Sequence, residues 1–371
     1  MPRIVIALDS FKGSIGAADA VAAFAAGWRE VAADAKLLAR PMADGGEGTL
    51  DAFAAAVPGA ERMPVRVTGP EGALVDAAWL RLPPTADAPD GTGVVELAST
   101  SGIELLGDRR VGLDADTTGF GQAIVAALDA GISRLVLGIG SSASTDGGVG
   151  ALRALGGRFA DADGEGVAPG ARGLADLAGV DLSGLRPLPA GGAVVLTDVS
   201  NPLCGRAGAA AVFGPQKGLD AAGIATADAG LARLAALTPG GAAAAETPGA
   251  GAAGGTGFGL LAWGARLVPG APEVAALIAL ADAVAGADLV VTGEGSFDGQ
   301  SAAGKVPSFV LGAAASAGVP VALVAGRIDP DADTSGFAAS VSLTDLAGSA
   351  AASLADPGRW LRLAGRALAA R

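Results

Sequence analysis

The 371-residue chain predicts an α/β protein built on parallel strands, and three features of the sequence support that class. Short β-branched runs bounded by glycine or polar turns alternate with Ala- and Leu-rich stretches of helical length. Several of those runs are apolar throughout, as strands buried on both faces must be. Hydrophobic residues make up 51% of the chain and charged residues 17%, which supplies a large core and too few charges for a disordered polymer.

Taken in order, Ile4–Leu8 reads as a buried strand and Ala17–Ala32 as a helix. Residues 64–97 change pattern: VRVTGPEGALVDAAWLRL alternates about a Gly-Pro-Glu-Gly turn and GVVELA follows a Pro/Asp/Gly-rich loop, which predicts an antiparallel meander and an inserted domain beginning near residue 63. Thr118–Ala130, Ala221–Leu237 and Glu273–Ala285 carry helical spacing, while Leu135–Ile139, Ala193–Thr197, Leu289–Thr292 and Val319–Val324 read as buried strands. The low-complexity stretch 238–257, TPGGAAAAETPGAGAAGGTG, predicts a mobile loop, a linker or a lid. Residues 306–326 carry no charge over roughly a membrane-spanning length. Pro307, Gly318 and Pro320 punctuate them, so a buried helix, a turn and a buried strand are expected rather than a membrane span. The opening PRIVIALDS enters a strand without the basic and apolar regions of a signal peptide, and a cytoplasmic location is expected.

Composition removes whole classes of chemistry. The chain has no histidine and one cysteine, Cys204, so triads, Cys-His pairs, zinc helices and Cys-rich metal clusters are excluded. Any metal must be held by oxygen, which favours Mg²⁺ or Mn²⁺. A net charge of −13 argues against a nucleic-acid surface and against an anionic membrane as partner.

The remaining polar chemistry falls in a few glycine-rich segments. Asp9-Ser10-Phe11-Lys12-Gly13-Ser14 follows the first strand, where Asp9 suits catalysis or metal binding and Ser14 a helix-terminal amide or a phosphate; a plain capped turn would look the same. PMADGGEGT at 41–49 places Asp44 and Glu47 at a helix entry, a favourable position for acids in any helix, while Gly45 and Gly46 allow close approach to a ligand. The pattern Asp-Gly-Gly-x-Gly recurs at Asp146–Gly150, and two such turns suit one ligand beyond strand ends. Gly138–Ala143 is similar to the GxGxxA dinucleotide fingerprint, with Asp161 and Asp163 downstream, which leaves an NAD-dependent oxidoreductase as an alternative. The hydroxyls and amides that follow, through Ser142, Ser144 and Asp146, also suit phosphate oxygens or a hydrated Mg²⁺. No Walker A spacing occurs. Asp198 and Asn201 stand in TDVSNP beyond a strand, placed to take a proton from an attacking hydroxyl and to orient it, or simply to form an Asx turn. Glu294, Asp298 and Gln300 form a second acidic cluster, either a metal site or an acidic loop.

Rare residues sharpen the map. Of 25 basic residues only Lys12, Lys36, Lys217 and Lys305 are lysine, and three of these stand beside glycine in polar turns. Asn201 is the one asparagine, and Gln216 and Gln300 are two of three glutamines. A compact ammonium binds a phosphate oxygen as a point charge, so Lys12, Lys217 and Lys305 are candidate phosphate or carboxylate ligands.

Together, DSFKGS at 9–14, PMADGGEGT at 41–49, TDVSNPLCGRAGAAAVFGPQKG at 197–218, GAAGGTGFGL at 251–260 and DLVVTGEGSFDGQSAAGKVP at 288–307 resemble the bacterial glycerate kinase family that phosphorylates D-glycerate with ATP. The stretch 141–148 departs from the family pattern, with Ser141 and Thr145 expected to reshape that loop. The resemblance implies two α/β domains with the active site in the cleft between them. One is a Rossmann- or flavodoxin-like parallel-sheet domain from both chain ends (1–63 and 286–371), the other an inserted mixed-sheet domain (64–285). It implies MgATP and D-glycerate as ligands and 2-phosphoglycerate as product, with 3-phosphoglycerate an alternative. Asp198 is the first candidate for general base and Asp9 the second, with Lys12 acting on charge. Substrate or nucleotide contacts fall to Ser10, Ser14, Gly45, Gly46, Ser142, Ser144, Asn201, Gln216, Lys217, Glu294, Gln300 and Lys305, and metal contacts to Asp44, Glu47, Asp146 and Asp298. A non-catalytic phosphoester-binding protein that keeps the loops is a further alternative.

Overall fold

A computed structural model of the chain describes residues 1–298 and 306–371. The strands among them are β1 (Arg3–Leu8), β2 (Lys36–Ala39), β3 (Glu61–Thr68), β4 (Leu74–Leu82), β5 (Thr92–Glu96), β6 (Arg134–Gly138), β7 (Arg158–Ala160), β8 (Gly179–Asp181), β9 (Ala193–Leu196), β10 (Arg266–Val268), β11 (Leu289–Phe297), β12 (Val321–Ile328) and β13 (Ala339–Ser342). Two compact units result: the first contains Met1–Asp44, Asp51–Pro58 and Ala271–Arg371, the second Gly45–Leu50 and Gly59–Gly270. The sequence pattern and the family resemblance place the corresponding limits at 63 and 285.

The first unit holds a sheet in the order β13-β12-β11-β1-β2, every pair parallel. Counted along the unit, this is the doubly wound order 2-1-3-4-5. Five consecutive buried residues, Ile4–Leu8, make β1 a strand covered on both faces. The helix Ala17–Val31 buries Ala17, Ala20, Val21, Phe24, Ala25 and Trp28, spaced three or four apart on one face. It packs against the helix Pro357–Ala369, and glycines set the separation. A Cβ on Gly27 would lie 1.8 Å from the Arg362 carbonyl oxygen, and one on Gly365 2.2 Å from that of Phe24.

The second unit holds a mixed sheet in the order β10-β9-β6-β5-β4-β3. Strands β5, β6, β9 and β10 run parallel, and β3–β4–β5 form the antiparallel meander. Val95, Leu135, Leu137 and Val195 from the strands pack with Phe120, Ile124, Leu231 and Phe258 in one core. The parallel sheet and the mixed sheet are those expected of the α/β class.

Several local expectations need correction. The stretch 238–257 is no free loop: it contains a short helix, Gly241–Ala245, and enters the helix Ala252–Trp263. Ala253, Gly254 and Gly255 are left-handed, and a Cβ on Gly254 would lie 2.0 Å from the Ser144 carbonyl oxygen. The glycines that suggest mobility instead let this backbone press on another. Glu273–Ala285 is two helices, Gly270–Leu277 and Leu280–Val284, separated at Ala279 with φ 51°. Strand β11 continues beyond Thr292 to Phe297, because Gly293 and Gly295 fit against Val324 and Gly326 of β12, so Glu294 lies in a strand rather than a loop. Residues after 305 form the helix Val306–Ser316 and then β12, and no helix among the described residues is long and apolar enough to cross a membrane.

Gly240 and Gly254 share φ +69°, but a Cβ on Gly240 meets nothing within 4 Å. Gly254→Ala should therefore lower the free energy of unfolding by about 2 kcal/mol more than Gly240→Ala, the difference being overpacking rather than backbone strain. Urea midpoints for the two variants check this, and equal midpoints would count against the tight contact.

Candidate active site

In the first unit the strand order reverses between β1 and β11, the point at which open α/β sheets take ligands beyond the strands' carboxyl ends. Asp9, Ser10 and Lys12 follow β1 there, and Glu294 lies buried in β11. The Asp9 N–H donates to the Gly293 carbonyl at 2.9 Å, and Ser10 N–H donates to Asp9 Oδ1 at 2.7 Å. Gly295 brings β11 against the Phe11–Lys12 backbone, where its Cβ would lie 3.2 Å from the Lys12 nitrogen. Phe11 and Ile15 close a tight turn through left-handed Gly13, which leaves Lys12 exposed at its tip. Ser14 does not cap the following helix: the N-cap is Gly16, with no side-chain bond. Asp44 is exposed and Asp298 half-buried, whereas Gln300 and Lys305 lie outside the described residues.

In the second unit the two Asp-Gly-Gly turns meet. Gly140 N–H donates to the Gly45 carbonyl at 2.9 Å. A Cβ on Gly138 would lie 2.7 Å from that same oxygen, one on Gly140 2.5 Å from Gly46 Cα, and one on Gly45 2.6 Å from Leu196 Cβ. The glycines of the fingerprint-like segment therefore serve a contact within the chain rather than approach to a pyrophosphate. Of the acidic pair downstream, Asp161 closes its own turn by accepting from Asp163 and Glu165 N–H at 3.0 and 2.9 Å. The oxidoreductase alternative loses both its supports.

Below these turns lies a buried polar network. Asp146, 0% exposed, accepts from Thr117 N–H at 3.0 Å, Thr117 Oγ1 at 2.7 Å and Gly150 N–H at 3.0 Å on Oδ2, and from Gly148 N–H at 3.1 Å on Oδ1. Four donors leave it a structural acceptor rather than an open metal ligand. Ser142 and Ser144 are buried too, and the Ser142 hydroxyl accepts from Ser144 N–H at 3.2 Å. Ser141 is held at φ 58°, and the buried Thr145 hydroxyl finds no partner among the described residues. Lys217, 2% exposed, donates to the Ser144 carbonyl. Burial pushes its ammonium down to about 7, against the opposing pull of Asp146.

Other candidates stand nearer to solvent. Asp198 follows β9, is exposed, and accepts from Gly270 N–H at 2.9 Å. Glu47 and Gln216 are exposed, and half-buried Asn201 donates to the Ala207 carbonyl at 2.7 Å, bracing its own loop. Among the described residues no group of three or more acidic or sulfur side chains is placed to cage a metal.

Sequence reasoning missed Asp116, Thr117 and Glu96. Thr117 binds Asp146 as described; Glu96, at the end of β5, accepts from Leu50 N–H at 3.1 Å. Asp116 binds Thr118 at the start of the next helix, and burial, then the charge of Asp146, pushes its carboxyl up. The Asp-Thr-Thr before a helix was the available signal, and it reads equally as an ordinary cap.

The sequence profile of the glycerate kinase family matches residues 4–371. The chain belongs to the glycerate kinase family. It is 40% identical to the glycerate 2-kinase of Escherichia coli over 89% of this chain and 86% of that protein. It is 42% identical to the glycerate kinase of Bacillus subtilis, again over 89% and 86%. A crystal structure described as glycerate kinase 2 from Salmonella typhimurium superposes with a TM-score of 0.84 at 39% identity, covering 100% of this chain and 97% of that one. As a member of the glycerate kinase family the protein is a kinase, a phosphotransferase.

The buried lysine carries a pH signature. Its folded value near 7 lies below the ordinary 10.5, so between these limits the unfolded chain holds more protons and stability rises with pH. Lys217→Met removes that dependence. Urea midpoints at about pH 6.5 and about pH 9.5 should show the wild type gaining on the variant as pH rises, and a difference that does not change with pH would contradict the burial of a titrating amine.

Proposed function

We propose that the protein transfers the γ-phosphoryl group of ATP to the 2-hydroxyl of D-glycerate, giving 2-phosphoglycerate and ADP. Membership of the glycerate kinase family over residues 4–371, at 40% identity to a glycerate 2-kinase, is the observation that carries this reading. Phosphoryl transfer asks for in-line positioning, neutralised phosphate charge and an acceptor for the hydroxyl proton. The glycine-rich turn at 45–48 supplies backbone amides, and exposed Lys12 supplies a compact positive charge. Ser10, Ser14, Gly45, Gly46, Ser142, Ser144, Asn201, Gln216 and Glu294 are retained as the residues that shape substrate and nucleotide binding.

Magnesium fits this donor set in the manner usual for nucleotide enzymes, through one or two carboxylates and the phosphates rather than an all-protein cage. Exposed Asp44 and Glu47, with half-buried Asp298, are the carboxylates that would hold it; Asp146, already filled by four donors, is left out of that role. When bound with ATP, the ion would offset charge on the β- and γ-phosphates.

Asp198 acts as general base. Its carboxylate takes the proton of the 2-hydroxyl as that oxygen bonds to the γ-phosphorus and the bond to the bridging oxygen of ADP breaks. Asp9 is the second candidate. A coupled assay with D-glycerate and MgATP should show ADP formation, and ³¹P NMR should identify 2-phosphoglycerate. A 3-phosphoglycerate signal would move the attack to the other hydroxyl, and no turnover over a panel of hydroxy acids would reject the kinase reading for these substrates. Asp198→Asn should lower kcat at least about a hundredfold, whereas near-normal turnover in a folded variant would transfer the role to Asp9.

A further inference from the structure

Lys217 is one of four lysines in a chain that otherwise uses arginine, and its side chain is taken wholly out of water. It ends a single 3-10 turn, Pro215–Lys217, begun by a proline whose fixed φ suits it and stopped by left-handed Gly218 at φ 87°. Its backbone is anchored as well. Gly112 N–H donates to the Lys217 carbonyl at 3.1 Å, and a Cβ on Gly112 would lie 2.7 Å from that oxygen. The side chain then crosses to the Ser144 carbonyl, 73 residues away in sequence. Burying an ammonium costs several kcal/mol unless it is bound, and a lysine kept there against that cost points to a specific task.

We propose that Lys217 is a positioning residue: its buried amino group donates to the Ser144 carbonyl and so fixes the turn from Ser142 to Asp146. The importance of that turn for phosphate binding rests on the function proposed above, but the clamp itself does not. A direct phosphate role requires an ammonium that ligand can reach, and this one faces backbone at 2% exposure. The same turn is braced from two other sides. The Ser142 hydroxyl lies 3.2 Å from the Ala253 carbonyl, and Gly147 N–H donates to the Gly254 carbonyl at 3.0 Å. Asp146 takes four donors at its far end. Among the described residues, Lys217 supplies the side-chain amine that bonds the middle of the turn. The charge of Asp146 acts on it, and Arg110 lies against the neighbouring Gly218.

The test compares wild type with Lys217→Met by hydrogen exchange and by steady-state kinetics. Amides of 142–150 should exchange at least about tenfold faster in the variant while those of the β3–β4 hairpin do not change. In the glycerate assay kcat should fall at least about tenfold with the KM for ATP within about threefold. Unchanged exchange in the turn overturns the proposal, as does a KM for ATP raised about tenfold with kcat retained, which would make Lys217 a phosphate ligand. Where Lys217→Met does not fold, Lys217→Leu, which likewise carries no donor, gives the same readouts. A wild-type chain without glycerate turnover would defeat the function proposed above, and the exchange data would still decide the clamp.

Discussion

A carboxylate taken wholly out of water must be given donors, and the second unit is organised around giving four of them to Asp146. Thr117, which supplies two, also accepts from Ala151 N–H at 2.9 Å, so the starts of the helices Thr118–Asp129 and Val149–Ala154 are tied to one another. Gly148 and Gly150 can offer their amides because the backbone turns sharply through left-handed Gly147 and Gly148. One acid thereby sets the exit from β6, the entry to two helices and the course of the loop between them.

The candidate side chains differ in their access to solvent. Lys12, Asp44, Glu47 and Asp198 are exposed, while the residues that shape the loops are buried. That division suits phosphoryl transfer, where catalysis comes chiefly from positioning and electrostatics. It is also compatible with a chain that has no histidine.

Much of the fold was legible because apolar runs and helical spacing are local signals. The helix Ala221–Leu237 was bounded correctly, helped by Asp220, whose side chain accepts from Gly223 N–H at its N-terminus. The segment 238–257 was not legible, because glycine signals two opposite things. Composition reports its freedom in an unfolded chain, whereas here the missing Cβ admits the Ser144 backbone at a distance no side chain would allow. The break at Ala279 has no glycine or proline to announce it. Within the candidate site, scarcity marked Lys217 and Asn201 as special, but their partners, the Ser144 and Ala207 carbonyls, are backbone atoms that carry no sequence signature. Asp116 and Thr117 were passed over because an acid and a hydroxyl before a helix look like an ordinary cap.

The parallel sheet of the first unit has a consequence for the order in which the chain matures. β1 pairs Ile4 with Leu289 and Val5 with Val290, so its central partner is translated long after it. At about 5–20 residues per second the first strand waits roughly 15 to 60 s for β11. The second unit is nearly continuous in sequence from Gly59 to Gly270, and its sheet is complete before β11 leaves the ribosome. During that interval β1, apolar and with an open edge, is a target for chaperones or for neighbouring nascent chains. The strand that carries Asp9 and Lys12 at its end thus gains its β11 edge only after the strands of the second unit have been synthesised.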